Sequence, residues 1–199
     1  MKVIDFEWEK FTEFLNRAVA PNLSGRILVL GVAKGGLPIA RHVYNQLLQY
    51  PGVDLQLGEI QCQRPTTKMK KGNPAREQMV RFFFSITPKF MLNKLRVIEH
   101  NWLSSRAERL LCRNVVSDIP NSDFDIILVV DDAVDSGASL FNILENLTSK
   151  QRIPTHRIKT LTVALTQQNP ILEPDYVFIR NVLVRFPWSL DAKQDFFRL

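Results

Sequence analysis

Three observations predict an α/β fold with a central, mostly parallel sheet flanked by helices. Arg26-Ile27-Leu28-Val29-Leu30-Gly31-Val32 and Asp125-Ile126-Ile127-Leu128-Val129-Val130 are continuous apolar runs, the pattern of strands buried on both faces. Each run leads through a turn of small or acidic residues into a segment of helical composition, which is the strand-turn-helix half of a parallel crossover. Strand patterns near 157–165 and 176–184 complete the sheet, and no internal repeat or low-complexity segment interrupts it. With 199 residues, 45% of them hydrophobic, the chain can bury one substantial core, and residues 1–199 read as a single domain.

The elements follow in order. Trp8, Phe11, Leu15, Ala18 and Val19 recur at helical spacing, which predicts an amphipathic helix from about 5 to 20 that stops near Pro21. After the first buried strand comes a glycine-containing turn and a helix through Arg41 to Gln49. Residues 54–61 and 78–87 have extended character. Between them Arg64-Pro65-Thr66-Thr67-Lys68-Met69-Lys70-Lys71-Gly72-Asn73-Pro74 has few apolar residues to anchor it, and a mobile basic loop is expected there. From 88 to 124 the pattern is weaker: Trp102 to Arg113 has helical composition, while Leu95-Arg96-Val97-Ile98 fits either strand or helix. The second buried strand leads into a helix that runs to about Leu147.

Composition excludes several classes. A chain with 13 Phe and 3 Trp is not a disordered tail. No apolar run reaches the roughly 18 to 20 residues needed to cross a bilayer, and Met1-Lys2-Val3-Ile4-Asp5-Phe6-Glu7 is too acidic and interrupted for a signal peptide. A soluble, cytoplasmic protein without a membrane partner is expected. Cys62 and Cys112 lie far apart without a Cys or His neighbour at metal-ligand spacing, so both are expected as free thiols. A net charge of +6 admits a nucleic acid or a small polyanion as partner, and no nucleic-acid recognition module is present to favour the first.

Ligands of open α/β sheets sit beyond the carboxyl ends of the strands, which directs attention to the turns after Val32 and Val130. Ser136-Gly137-Ala138-Ser139 places small residues, two hydroxyls and a glycine at a helix N-terminus, where free N–H groups and the helix dipole favour a phosphate. Immediately before it, Asp131 and Asp132 can hold a divalent cation or accept hydrogen bonds from a sugar diol. A strand ending in Asp and a helix capped by Ser would give part of this pattern for structural reasons alone. Three carboxylates at 131, 132 and 135 would repel one another without a cation or polyol, which favours a functional origin. The sequence has neither Gly-x-x-x-x-Gly-Lys-Ser/Thr nor Gly-x-Gly-x-x-Gly after a strand, so ordinary NTPase and dinucleotide readings fall away.

Ile127-Leu128-Val129-Val130-Asp131-Asp132-Ala133-Val134-Asp135-Ser136-Gly137-Ala138-Ser139 resembles the phosphoribosyl pyrophosphate (PRPP) motif of type I phosphoribosyltransferases. Gly31-Val32-Ala33-Lys34-Gly35-Gly36-Leu37-Pro38 resembles that family's pyrophosphate loop, and Pro174-Asp175-Tyr176 with Phe186-Pro187-Trp188 resembles its hypoxanthine and xanthine branch. The resemblance implies an Mg²⁺-dependent transferase that moves phosphoribose from PRPP to a nitrogenous base, with a 6-oxopurine favoured. It implies that Asp131 and Asp132 hold the ribose hydroxyls directly or through Mg²⁺. Asp135, Ser136, Gly137, Ala138 and Ser139 would bind the 5′-phosphate, and Lys34, Gly35 and Gly36 would meet the pyrophosphate. Asp135 would also act as general acid or base. The basic loop resembles in position a flexible hood over PRPP, carried on an insertion around 60–118.

The base pocket departs from the family pattern. Purine enzymes of this type place a Lys after the strand that follows the motif helix, and here that stretch reads Leu165-Thr166-Gln167-Gln168. Leu183 stands where an aromatic is expected, before Val184, and Ser189 stands where an acid is expected, with Asp191 two positions on. Thr166, Leu183, Val184 and Phe186 are the candidate base-binding residues, and Trp188 is a further aromatic able to stack. A second reading keeps the cradle without turnover, as a PRPP-binding regulatory protein. Many members of the resembled family are dimers, so a homodimer is an assembly the resemblance leaves open.

Overall fold

A computed structural model of the chain describes residues 1–63, 93, 94, 97, 114–117 and 123–189. The two continuous apolar runs form the centre of a six-stranded sheet: β2 (Gly25–Val32) and β5 (Ile126–Val134) pair in parallel, from Ile27 opposite Ile126 to Gly31 opposite Val130. β3 (Val53–Gln63) flanks β2 in parallel, while β6 (Ile158–Leu165) and then β7 (Tyr176–Arg180) extend the sheet beyond β5. β4 (Asn114–Ser117) pairs antiparallel with the end of β3 and gives the order β4-β3-β2-β5-β6-β7. Five parallel strands therefore share one carboxyl edge, as the sequence predicts.

Alternation along the central strands divides the core into two layers. Ile27, Val29, Leu128 and Val130 pack with Ile39, Ala40, Val43 and Leu47 of α2 (Gly36–Leu47). Leu28, Leu30, Ile127 and Val129 pack on the other face with Leu140 and Ile143 of α3 (Ala138–Glu145) and with Leu147 beyond it. Successive strand residues point to opposite faces, so continuous apolar runs are what a sheet covered on both sides requires. Each such Leu, Ile or Val contributes about 1.5–3 kcal/mol relative to an exposed position. The chain leaves β2 through α2 toward β3 and leaves β5 through α3 toward β6, in opposite directions along the sheet. The crevice between β2 and β5 is thus the switch point where open α/β sheets bind ligands.

Several boundaries differ from expectation. Ahead of the helix, which starts at Trp8 rather than about 5, Lys2–Asp5 forms an unexpected strand, β1, which pairs in parallel with β8 (Val182–Arg185) in a separate two-stranded sheet. Its partner is so distant in sequence that no local pattern reports it. α1 covers Trp8–Phe14 and continues as a π turn over Leu15–Val19 and a 3-10 turn over Ala20–Asn22, which contains Pro21. α2 starts at Gly36, ahead of the expected position, because Pro38 fits a first turn whose N–H groups need no helical partner. β5 runs on through Val134, so Asp131 and Asp132 lie on the strand rather than in the turn after it. The single strand expected over 176–184 is two strands broken at Asn181, a residue type that tolerates its left-handed φ of 60°. The basic loop of 64–74, the extended run of 78–87 and the helical composition of 102–113 lie outside the described residues, as does Cys112. Of the insertion around 60–118, the described ends meet: Gln63 stands opposite Asn114. No helix among the described residues is long and apolar enough to cross a membrane.

Asp175, in the loop before β7, ties that strand to β6. One of its carboxylate oxygens accepts from the Thr160 N–H at 2.9 Å and from the Thr160 hydroxyl at 2.6 Å, while its own N–H donates to Thr160 Oγ1 at 2.8 Å. Thr160 is buried, so the Pro174-Asp175-Tyr176 motif has a structural explanation here. Asp175→Ala leaves that N–H unpartnered in the interior, which costs about 1–3 kcal/mol. Urea unfolding should show a lowered midpoint with an unchanged slope; an unchanged midpoint would mean that water replaces the carboxylate.

Candidate functional site

Both turns that the sequence singles out lie at the switch point, and glycines let one rest on the other. A Cβ on Gly35 would fall 2.2 Å from Asp132 Oδ2, and one on Gly36 would fall 2.5 Å from the Val130 carbonyl oxygen and 3.0 Å from Asp131 Cα. At Gly36 the obstacle is backbone and no side chain fits, whereas at Gly35 any side chain would displace the Asp132 carboxylate. The Ala33–Lys34 peptide is cis, and the Ala33 N–H donates to the Ile60 carbonyl at 2.9 Å, which fixes the turn against β3. Lys34 itself is exposed at the mouth of the crevice.

Asp131 is buried within the sheet, and its Oδ1 accepts from the Asp132 N–H at 2.9 Å. Asp132 Oδ1 in turn accepts from the Ala133 N–H at 2.9 Å. Burial pushes the Asp132 carboxyl above its ordinary range; hydrogen bonds with the Asp131 side chain, backbone N–H groups and the Trp188 indole oppose that rise without cancelling it. Trp188 was considered in the sequence only as a stacking ring. Its hydrogen bond to Asp132 joins residues too far apart in the chain for any spacing rule to connect.

The next residues form the loop at the N-terminus of α3. Gly137 has φ 76°, and a Cβ there would meet the Leu172 carbonyl oxygen at 2.6 Å and nitrogen at 2.9 Å, so only glycine fits in both conformation and space. Behind the loop the Ile171 N–H donates to the Ser136 carbonyl at 2.8 Å, and the Cys62 thiol donates to the Ser139 carbonyl at 3.7 Å. Ser136 Oγ accepts from the Ala138 N–H at 3.4 Å, and α3 begins at Ala138. The loop is thus braced from β3 and from the 171–172 segment.

On the far side of Asp132 the structure brings Asp135 and Thr166 together: the Thr166 hydroxyl donates to Asp135 Oδ1 at 2.8 Å. Leu183, Val184 and Phe186 are all buried. Val184 and Phe186 belong to the core layer on the α2 face, and the Phe186 ring stacks on Trp188 at 4.9 Å and lies 5.3 Å from Phe6. Arg185, between them, is a buried cation absent from the sequence reading; it pairs with Asp5 of β1 at 2.8 Å and donates to Asn93 Oδ1 at 2.5 Å. The basic loop and Asp191 lie outside the described residues.

Among the described residues no group of three or more His, Cys, Asp or Glu is placed to hold a metal by itself. The donor set at the crevice is the Asp131 and Asp132 pair. Two carboxylates suit a hard cation that draws its remaining ligands from water and substrate oxygens, as Mg²⁺ does.

Comparison with known proteins agrees with this geometry. The family model described as phosphoribosyl transferase domain matches residues 9–194. No curated protein matches the chain. Among solved structures, a purine phosphoribosyltransferase from Pyrococcus horikoshii superimposes with a TM-score of 0.55 at 18% identity, covering 95% of both chains. A xanthine-guanine-hypoxanthine phosphoribosyltransferase from Helicobacter pylori gives 0.54 at 15% identity, covering 96% of this chain and 94% of its own. The hypoxanthine phosphoribosyltransferase of Trypanosoma cruzi gives 0.52 at 14% identity, covering 87% and 75%. At such identities these structures establish the α/β fold with its parallel central sheet.

The raised Asp132 pKa has a consequence for stability. Near pH 7 the ionised carboxylate bears a burial cost that an amide avoids, so Asp132→Asn should unfold at a higher temperature than the unmutated protein without ligand. As pH falls through the raised pKa toward the ordinary 3.8, the native carboxyl takes up a proton before the unfolded one does, and the difference should shrink. Melting curves at neutral and acidic pH test this; a less stable variant at pH 7 would show that the hydrogen bonds outweigh the burial.

Proposed function

The chain belongs to the phosphoribosyl transferase domain family, and on that premise we propose that it transfers phosphoribose from PRPP to a nitrogenous base with release of pyrophosphate. One observation carries this reading: Gly35 and Gly36 of the first turn rest on Asp132 and Asp131, directly before the loop at the N-terminus of α3. A carboxylate pair between two anion-accepting turns matches a ribose that bears a phosphate at one end and a pyrophosphate at the other.

In this reading Asp131 and Asp132 accept hydrogen bonds from the ribose hydroxyls. Residues 135–139 receive the 5′-phosphate through N–H groups and the dipole of α3, while Lys34 and the backbone at Gly35 and Gly36 meet the pyrophosphate. Asp131 and Asp132 would also hold Mg²⁺, which when bound offsets negative charge on the departing pyrophosphate. The bond from the ribose anomeric carbon to pyrophosphate breaks and a bond to a ring nitrogen of the base forms. Asp135 accepts the proton that this nitrogen loses. The acceptor we favour is a 6-oxopurine, supported by the purine, xanthine, guanine and hypoxanthine enzymes among the similar structures. Substrates of this kind fit the cytoplasmic setting expected from the sequence. The alternative, a PRPP-binding regulator without turnover, draws support from the stretch Leu165-Thr166-Gln167-Gln168, which holds no Lys where the resembled purine enzymes carry one.

Pyrophosphate release with PRPP and Mg²⁺ across hypoxanthine, guanine, xanthine, adenine, uracil and orotate separates these readings, and turnover is expected with an oxopurine. Calorimetry should show PRPP binding that is lost when Asp131→Asn and Asp132→Asn are combined, in a protein that still folds. Undiminished affinity would remove the two acids from the site. Asp135→Asn should keep PRPP affinity within a few-fold and lower kcat by about 10² to 10⁴. An acid that only supports the loop would tolerate Asn, and turnover would barely change.

A further inference from the structure

The stretch 165–168, where a Lys is expected and none stands, holds a threonine that the site uses. Thr166 is the first residue after β6, and its N–H donates to the Val134 carbonyl at 3.0 Å, continuing the ladder that pairs Leu165 with Val134. From the other side the Asn181 N–H donates to the Leu165 carbonyl at 2.8 Å. The backbone at 165–166 is therefore fixed between β5 and the junction of β7 with β8. The side chain is buried, and β-branching restricts its first torsion.

The hydroxyl has one proton and two candidate acceptors: Asp135 Oδ1 at 2.8 Å and the Val134 carbonyl at 3.4 Å. Only the first falls within the usual length of an O–H···O bond, and a carboxylate is the stronger acceptor. The proton is thereby committed to Asp135. Asp135 itself lies on the loop ahead of α3, one residue after the end of β5. A hydroxyl held on a fixed strand end fixes one carboxylate oxygen and with it the plane of the group. Gln167 and Gln168, which follow, are neutral as well, so the anchor brings orientation without a positive charge.

We propose that Thr166 is a positioning residue that holds the Asp135 carboxylate toward the acceptor base, in place of a residue that reads the base itself. The role rests on the reading of Asp135 as the acid or base of phosphoribosyl transfer. A proton acceptor displaced by an ångström or left to rotate loses rate rather than substrate affinity.

Thr166→Val and Thr166→Ser, each alone and combined with Asp135→Asn, test the role. Val removes the hydroxyl and should lower kcat about 10- to 100-fold while the PRPP dissociation constant from calorimetry stays within about two-fold. Ser keeps the hydroxyl and should stay within a few-fold of the unmutated kcat. In the Asp135→Asn background, Val should cause no further loss, because the group it positions is already gone. If Val perturbs folding, Thr166→Ala carries the same comparison. Unchanged kcat in Val and Ala, or an equal loss with and without Asp135, overturns the role while leaving the transferase reading intact. Absence of turnover by the unmutated protein with every base overturns the transferase reading, and the role falls with it.

Discussion

The parallel pairing of β2 with β5 is the constraint on which the site depends. Gly31 stands opposite Val130, so the residues that follow each strand emerge side by side. The two turns would not lie against each other, Gly35 on Asp132 and Gly36 on Asp131, if the two strands were separated by a third. The pairing is held from both faces by layers whose residues alternate along each strand, so a slip of one position would exchange the two layers and move Asp131 to the opposite face. Position of the acids and composition of the core are thus one specification.

That arrangement places charge where a stable fold would place none. Asp131 is within the sheet and Asp132 follows it, with burial raising the carboxyl pKa of Asp132. Two backbone N–H groups and the Trp188 indole donate to the pair and orient it. Arg185, the buried cation just ahead of Trp188 in the chain, is paired with Asp5. A polyol or a cation would relieve this cost, and relief delivered by a ligand appears as affinity.

Much of the site was legible because its signals are local. The apolar runs ending at Val32 and Val130, the acids 131 and 132, and the small residues 136–139 are contiguous, and each carries its physics within a few positions. Gly35 and Gly36 were read as allowing an anion to approach, but their need to clear Asp132 and Asp131 comes from strand pairing that no window of sequence contains. The bond from Thr166 to Asp135 and the indole of Trp188 on Asp132 escaped for the same reason. β1 was missed because a short edge strand of half-buried residues has no periodicity to set against the helical pattern that follows it. Asn181 divides what reads as one strand, since a left-handed residue changes direction without changing hydrophobicity.

The pairing of β1 with β8 has a temporal side. Arg185 meets Asp5 across 180 positions of sequence, so β1 has no strand partner until β8 has been made, by which point β2, β3, β5 and β6 are available to assemble. Closing a loop over that span costs more chain entropy than any strand pairing within the six-stranded sheet. β8 brings Leu183, Val184 and, just past its end, Phe186 and Trp188. A nascent chain therefore acquires the crevice between β2 and β5 before it acquires the wall beside it.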